Sequence, residues 1–288
     1  MFYLIKQCLK TLSLIERLND TLMAILDGHI QFTGRLGNLS AYRMKGSDKI
    51  ILRAKGGPSG DKIRKAPEFA RVRENIAEFG ACGKAAGHIR RRLQPVGNLA
   101  DYNFTPALCS LAKMIQRKDE DSPRGQRNIY LSRYQQLLPG FSLNKVHPFD
   151  SVVRQTIPAE IDPEQMTAVV SLPRLDPRFN LFIPWRQPLY RVVLHLTTIS
   201  DVAYQCDGYR LALSDKELCS ATVYTEWHPV AQPVEAQEIV LQPAGPPAQS
   251  ETPPAILIAI GIQMGAPVSD WVVEPVRHSG CGKILQAG

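Results

Sequence analysis

The sequence has no run of 18 apolar residues, no G-x-S-x-G nucleophile elbow and no phosphate-binding loop. The first absence excludes a transmembrane helix, and the other two exclude the motif-based hydrolase and nucleotide-binding classes. The stretch GACGKAAG falls short of a phosphate loop, because two residues instead of four separate Gly80 from Gly83-Lys84 and Ala85 follows the lysine. We therefore predict no catalytic residue and no cofactor.

Cysteine is scarce, with six residues in 288, and none of them forms a C-x-x-C pair. Their spacing fits neither a zinc site nor a small disulfide framework, so we predict mostly buried thiols in a reducing, cytoplasmic compartment. His278 and Cys281 are spaced like two metal ligands, but no third ligand lies near them in the sequence. No metal site is predicted, although one assembled from distant residues stays open. His195 lies in an apolar run and is predicted to be a hydrogen-bonded core or face residue.

Charge is distributed unevenly along a chain whose net charge is +7. Residues 35–95 contain 15 Lys/Arg and 5 Asp/Glu, whereas residues 146–288 contain 9 and 15. Such a chain can bind a polyanion through its basic half, or it can stack head to tail with its own copies. The hydrophobic content of 44% predicts a folded core instead of disorder.

The most basic and most helical pattern lies in residues 53–93. A turn is predicted at Gly56-Gly57-Pro58, a short helical turn at 62–65, and Pro67 suits the first position of a helix. Apolar residues then recur every three or four positions, which predicts one buried stripe along the helix. The early members are large and the later ones small, so we expect the first half to reach into a core. The stripe comprises Phe69, Val72, Ile76, Phe79, Cys82 or Gly83, Ala86, Ile89 and Leu93.

A second side of this helix, the glycine face, alternates basic residues with residues that lack bulk. The helix contains Gly80 and Gly87 on this face and Gly83 at the edge of the apolar stripe. Each glycine in a helix costs about 1 kcal/mol relative to alanine, so the three should bring a compensating benefit. Three interpretations stay open: approach of a phosphate backbone, close packing of another helix, or a bend or break near residues 80–83. The glycine face consists of Arg73, Ala77, Gly80, Lys84, Gly87 and Arg91.

On the first interpretation this region is a nucleic-acid interface, since arginine and lysine side chains contact phosphates. A preceding basic β-meander leads directly into the helix and would extend the same surface. The candidate nucleic-acid-binding residues are Arg53, Lys55, Lys62, Arg64, Lys65, Arg73, Lys84 and Arg91.

Three regions are predicted along the chain. Residues 1–22 have helical apolar spacing but no secretory cleavage pattern, and they are either a non-native extension or a docked amphipathic helix. Residues 23–140 form a basic β-meander, with strands at 30–33, 39–44 and 49–53, followed by helices that include 105–118 and 128–138. The acids Asp119, Glu120 and Asp121 are predicted to lie in a solvated linker.

Residues 141–288 form the third region, which contains 16 of the 22 prolines. Strands are predicted at 167–172, 189–199, 209–213, 221–226, 236–242, 255–264 and 271–276. This number of short strands favours a jelly-roll-like antiparallel β-sandwich, and the whole fold is then of the α+β class. The predicted core includes Val193, Leu194, Leu196, Ile258, Ile260 and Ile262.

Three segments, GRLGNLSAYRMKGSDKIILRAKGG, FARVRENIAEFGACGKAAG and GIQMG, resemble a Bacteroidetes-type family of uncharacterised bacterial proteins. The similarity covers most of the chain from Met23. It implies a bacterial and cytoplasmic setting, and it brings no ligand, cofactor or catalytic residue with it.

The sequence favours a non-enzymatic binding protein whose basic half engages nucleic acid. The alternative is a self-assembling or scaffold protein, and an enzyme of unrecognised type is the least favoured class. Nucleic-acid binding should leave a clustered, exposed basic face, whereas assembly should leave exposed apolar patches or open sheet edges.

Overall fold

The structure, a computed structural model, describes residues 23–26, 32–44, 47–54, 57–243 and 253–288. The chain divides into two compact units, the first ending at Ala70 and the second running from Arg71 to Gly288. Helices combine with several antiparallel sheets, which confirms the predicted α+β class with a β-sandwich-like part. The predictions for residues 1–22 and for Lys55 fall outside the described residues. The predicted division of the chain at residue 140 stays a prediction.

The first unit contains a four-stranded antiparallel meander in the order β1-β4-β3-β2. The strands are β1 (Met23–Leu26), β2 (Gly34–Leu36), β3 (Leu39–Arg43) and β4 (Ile50–Ala54). Of the strand expected at 30–33, residues 30 and 31 fall outside the described residues and residues 32 and 33 are not in a strand. Strand β2 begins at Gly34, and Gly37, whose φ of +56° suits glycine, lies in the turn to β3. Helix α1 (Gly60–Lys65) confirms the short helical turn, and Ser59 caps it by accepting the backbone N–H of Lys62. A 3-10 turn (Pro67–Phe69) follows.

The long basic helix α2 (Ala70–Arg92) is followed by the short α3 (Gln94–Gly97) and by α4 (Thr105–Gln116). Later come a 3-10 turn (Gln135–Leu137) and α5 (Phe149–Val152). The helix predicted at 128–138 was wrong apart from this 3-10 turn. Ile129 and Val202 exchange backbone hydrogen bonds of 2.8 and 3.1 Å, which hold the start of that segment extended.

The predicted apolar stripe of α2 is confirmed only in its second half, where Cys82, Ala86, Ile89 and Leu93 are fully buried. Val72, Ile76 and Phe79 were expected in a core but are 39%, 59% and 67% exposed. The helix instead buries Glu78 together with a row of small residues and Ile89. Apolar spacing could not identify the first half of this side, because its third turn is occupied by an ion-paired carboxylate instead of a large apolar side chain. The buried residues of α2 are Glu78, Ala81, Cys82, Ala85, Ala86, His88 and Ile89.

A central five-stranded antiparallel sheet organises the second unit. It has the order β10-β7-β13-β14, with β11 also pairing with β7. A second sheet has the order β12-β6-β5, and β8 pairs with β9. The strands are β5 (Ala159–Asp162), β6 (Thr167–Leu172), β7 (Leu189–Ile199), β8 (Val202–Gln205), β9 (Gly208–Leu211), β10 (Ser220–Tyr224), β11 (His228–Pro229), β12 (Gln237–Leu241), β13 (Ala255–Ser269) and β14 (Val272–Ala287).

Each face of the central sheet covers its own core. One cluster joins Val193, Leu257 and Ala259 to Ala85 and Ile89 of α2. The other joins alternate residues of β7 and β13 to the β12-β6-β5 sheet, which gives the sandwich-like layer. The predicted core is confirmed, since each of the following is fully buried: Val193, Leu194, Leu196, Ile258, Ile260 and Ile262.

Candidate nucleic-acid interface

The glycine face of α2 lies open in the structure. The helix is continuous from Ala70 to Arg92, which excludes a break near residues 80–83, one of the three interpretations left open. A Cβ atom built at Gly80, Gly83 or Gly87 would meet no heavy atom of the described residues within 4 Å. No helix within the described ranges therefore packs closely against these glycines. What remains is a stretch of helix backbone that a ligand can approach closely.

Two of the predicted cations, Arg73 and Lys84, line one groove together with Gly80. The groove has a volume of about 600 Å³ and lies between α2, the loop around Gly125 and the β8–β9 hairpin. The Lys84 ammonium group donates to the backbone carbonyl oxygen of Tyr209, which ties the side chain to the groove wall. The lining comprises Arg73, Glu74, Ile76, Ala77, Gly80, Ala81, Lys84, Arg124, Gly125, Gln126, Tyr204, Asp207, Gly208 and Tyr209.

Arg124 is a third cation in this groove, and no sequence pattern indicated that it belongs there. Its guanidinium group donates to the Asn75 side-chain oxygen at 2.9 Å and lies 3.7 Å from Glu74. Arg124 is separated from α2 by more than thirty residues in a stretch that was predicted to be a linker. A pattern based on helical spacing cannot connect it to Arg73 and Lys84.

The two acids of the groove are paired with arginines. Glu74 accepts a 2.9 Å hydrogen bond from Arg71 and also contacts Arg124, while Asp207 lies 3.2 Å from Arg210. These pairs are partly exposed and contribute little stability, but they offset the negative charge locally. The charge that the groove presents to a ligand is therefore basic.

A buried ion-pair cluster fixes the loop that carries Arg124 beside α2. The fully buried Glu78 carboxylate accepts two hydrogen bonds from Arg127, at 2.8 and 2.9 Å, and one from Lys113 at 2.6 Å. It also accepts the backbone N–H of Gly125 at 2.9 Å. Burial acts to raise the pKa of Glu78, but these hydrogen bonds outweigh it and lower the pKa to about 2.

The acidic run that precedes Arg124 was only partly predicted. Glu120 and Asp121 are exposed, as expected for a solvated segment. Asp119 is buried and accepts the backbone N–H groups of Ser122 and Asn128 at 3.2 and 2.7 Å. Its role is to shape the loop, and placing it in a solvated linker was wrong.

The carboxy-terminal end of α2 is anchored on the central sheet. Arg92 points inward and donates to Thr197 Oγ1 and to the carbonyl oxygens of Thr198 and Cys219. The Nε2 atom of His195 donates to the Arg92 carbonyl at 2.7 Å, since that oxygen can only accept. His195 is thus the hydrogen-bonded buried residue that was predicted, and burial lowers its pKa. With Arg92 held inside, the neighbouring Arg91 is exposed on the glycine face.

The remaining predicted residues belong to the first unit. Arg53 is exposed and lines a small cleft of about 290 Å³ with Arg35 and Tyr42. Lys62 lies 3.6 Å from Glu68, and Arg64 pairs with Asp61. Lys65 is exposed in the last turn of α1. These basic residues lie on the surface of their own unit, and their sharing one interface with α2 stays a prediction.

An apolar row lies alongside the glycine face. It consists of Val72, Ile76 and Phe79, which follow one another at helical spacing and are all exposed. Ile76 also lines the groove. Exposed apolar groups beside a basic surface can stack against nucleic-acid bases or cover a second protein.

No protein-family model, curated protein sequence or solved structure matches the chain. The resemblance to a Bacteroidetes-type family therefore stays a prediction. Within the described ranges, no three histidine, cysteine or acidic side chains are grouped so that they could hold a metal ion. In the same part of the chain, no helix combines the length and apolar character needed to cross a membrane.

Proposed function

We propose that the chain is a nucleic-acid-binding protein whose glycine face receives the phosphate backbone. The observation that supports this best is the open helix backbone at Gly80, beside the groove cations Arg73, Lys84 and Arg124. A glycine-lined helix lets phosphate oxygens approach the helix surface, and flanking cations supply the charge contacts. Three cations in one groove of about 600 Å³ favour a charged strand over an apolar ligand.

The surroundings of the groove agree with a binding function. Phe79 is 67% exposed beside the glycine face and offers a ring on which a base could stack. Arg91 continues the basic line two turns beyond Lys84. A cytoplasmic setting is part of the proposal, and the described cysteines are all unpaired thiols, as a reducing compartment requires.

The test is a salt titration with labelled single-stranded and double-stranded oligonucleotides. Each phosphate contact contributes a slope of about −0.9 on duplex DNA and about −0.7 on single strands in a plot of log K against log salt. Changing Arg73, Lys84 and Arg91 to alanine together should reduce the slope by about 2–3 units. Fluorescence anisotropy at several salt concentrations gives both the affinity and the slope.

A matched control removes the same charge from the acidic part of the chain. Arg154, Arg178 and Arg186 are exposed arginines that lie outside the groove, and their triple alanine variant should keep the wild-type slope. Circular dichroism of both variants establishes that they are folded, which matters because Lys84 also bonds to Tyr209. Absence of salt-sensitive binding by the wild-type protein would end this proposal.

A second candidate function, self-assembly, is favoured by one specific observation. The apolar row of Val72, Ile76 and Phe79 is exposed on the continuous helix α2. Monomeric proteins rarely expose contiguous apolar patches without a binding role. A second copy of the chain could cover this row, and such a contact would not require the groove cations.

A further inference from the structure

A cleft of about 760 Å³ opens on the helix-bearing side of the central sheet, away from the groove on α2. Its walls are the segment 97–104, Arg90 near the end of α2, Gln263 of β13 and residues 275–278 of β14. Clefts of about 300–1,000 Å³ have the size that small-molecule ligands occupy. None of the groove cations Arg73, Lys84 and Arg124 lines it.

A β-bulge shapes one wall of this cleft. The pairing of β13 with β14 shifts from Gln263–Gly280 to Gly265–Pro275, so residues 276–279 lie opposite Met264 alone. His278 within the bulge has a φ of +57°, a left-handed conformation that non-glycine residues rarely adopt. Bulges redirect side chains, and strained backbone is often found at functional sites.

Arg277 and His278 of this bulge are exposed and line the cleft. Neither side chain forms a hydrogen bond or an ion pair with another residue in the described part of the chain. The guanidinium group of Arg277 is therefore available to a ligand. An arginine with all its donors available can recognise a phosphate or a carboxylate through two parallel hydrogen bonds.

Two amide side chains that line the cleft, Asn103 and Gln263, are held by arginines through their oxygen atoms. Arg90 donates to Asn103 Oδ1 at 2.8 Å, and Arg191 donates to Gln263 Oε1 at 2.8 and 2.6 Å. The side-chain oxygens of Asn103 and Gln263 thus already accept hydrogen bonds from arginines. Their amide N–H groups are therefore the groups that can donate to a ligand. Arg90 is itself fixed by a 2.6 Å hydrogen bond to Thr105.

The carboxylate in the lining, Asp101, is already engaged. It accepts the backbone N–H groups of Lys145 and Val146 at distances between 2.8 and 3.1 Å. The Tyr102 hydroxyl donates to the carbonyl oxygen of Ser142 at 3.3 Å, and burial raises the pKa of this tyrosine. The cleft therefore combines two arginines and several amide donors with one acid whose oxygens are occupied.

We propose that this cleft binds a small anion rich in hydrogen-bond acceptors, of about mononucleotide size. Arg277 and Arg90 pair with its phosphate or carboxylate group, and the amides of Asn103 and Gln263 donate to its acceptors. The proposal is independent of nucleic-acid binding on the glycine face, because the two sites share no residue.

Isothermal titration of the full chain with three anionic probes tests the proposal. Adenosine monophosphate, citrate and inorganic phosphate separate a phosphate from a carboxylate preference, and adenosine serves as the uncharged comparison. Binding of at least one anion, with no binding of adenosine, is the expected result. Arg277→Ala should weaken that binding about 10- to 100-fold, since hydrogen bonds to charged groups carry most of the affinity.

Two further variants keep the test decisive. Arg178→Ala removes an exposed arginine outside the cleft and should bind like the wild-type protein. Gln263→Glu replaces amide donors by a carboxylate that Arg191 can still hold, so it should weaken anion binding without loss of the fold. The proposal is overturned if no anion binds at millimolar concentrations, or if Arg277→Ala and Gln263→Glu bind as tightly as the wild type.

Discussion

Glu78 shows how one buried charge can determine which side of a helix faces the core. Its carboxylate is surrounded by donors from Arg127, Lys113 and Gly125, and so it is buried where a large apolar residue would be expected. Ion pairs of this kind are costly to break, because removing one partner leaves the other charges buried without compensation. The cluster also connects α2 to α4 and to the loop that carries Arg124.

The lowered pKa of Glu78 has a defined consequence for stability. The carboxyl has a pKa of about 2 in the folded protein and an ordinary value of 4.5, so its contribution is complete above about pH 4.5. As the pH falls from there through 2, the unfolded chain takes up a proton before the folded one does, and this contribution is lost. Burial lowers the pKa of His88 from 6.5 to about 4. Protonation of this histidine in the unfolded chain therefore lowers stability as the pH falls from about 6.5 to 4, a range above that of Glu78.

Glu78→Gln is therefore expected to lower the free energy of unfolding by about 3–5 kcal/mol at neutral pH. The difference from the wild type should shrink by roughly 2 kcal/mol between pH 5 and pH 3. Urea denaturation at a series of pH values measures both effects. Glu74→Gln is the control, because its partly exposed ion pairs should be worth less than about 1 kcal/mol. If the difference in unfolding free energy between Glu78→Gln and the wild type did not change between pH 5 and pH 3, the lowered pKa of Glu78 would be contradicted.

At the scale of single residues, the sequence predicted what depends on local spacing. Arg73, Gly80 and Lys84 were placed on one side of a helix, and the structure has them along one groove. Arg124 and Glu78 were missed, because their importance depends on contacts between residues more than thirty positions apart. Asp119 was misjudged for a related reason, since its burial depends on backbone donors of its own loop.

Among the elements, α2 was predicted in position and length, and the second half of its predicted apolar stripe is buried as expected. In its first half, apolar size favoured Val72, Ile76 and Phe79, whereas the structure buries Glu78 there instead. The strands were easier, because β6 and β7 have continuous β-branched and apolar character, and their bounds were predicted correctly. Strand β14 was predicted only in its first part, because the bulge at 276–279 and its glycines interrupt the alternation.

The open glycine face leads to a prediction for α2 itself. Alanine at Gly80, Gly83 and Gly87 would enter open space in the described structure, so each change should stabilise the helix by about 0.5–1 kcal/mol. Gly261→Ala is the contrasting variant, because its Cβ would lie 2.5 Å from Leu99 Cδ1 and 2.9 Å from the Cys281 carbonyl oxygen. That change should destabilise the protein.

Thermal unfolding of the triple alanine variant and of Gly261→Ala checks the sign of each effect. If the glycine face also receives phosphates, the stabilised triple variant should bind nucleic acid more weakly although its charge is unchanged. A loss of stability on substituting the three glycines would mean that another part of the chain covers this face.

For the molecule as a whole, two forms of self-assembly can be distinguished, one through the unequal charge distribution and one through the apolar row. Head-to-tail pairing of the basic and acidic parts depends on electrostatic attraction, which salt screens over distances of about 10 Å at 0.1 M. Contact through the apolar row of Val72, Ile76 and Phe79 depends on burial of apolar surface, which salt does not weaken. Sedimentation at low and high salt therefore distinguishes the two forms.

If the apolar row mediates assembly, we expect association that persists at about 0.5 M salt, where the screening length is only a few ångströms. The double change Ile76→Ser and Phe79→Ser should then abolish it, because it replaces two exposed apolar side chains by small polar ones. Val268→Ser and Val272→Ser provide a control, since these exposed residues belong to the β13–β14 hairpin. Association that disappears with salt, and that the helix variant leaves intact, would instead favour head-to-tail charge pairing. A monomer at all concentrations and at both salt levels would remove self-assembly as a function and leave the exposed row for a nucleic-acid ligand.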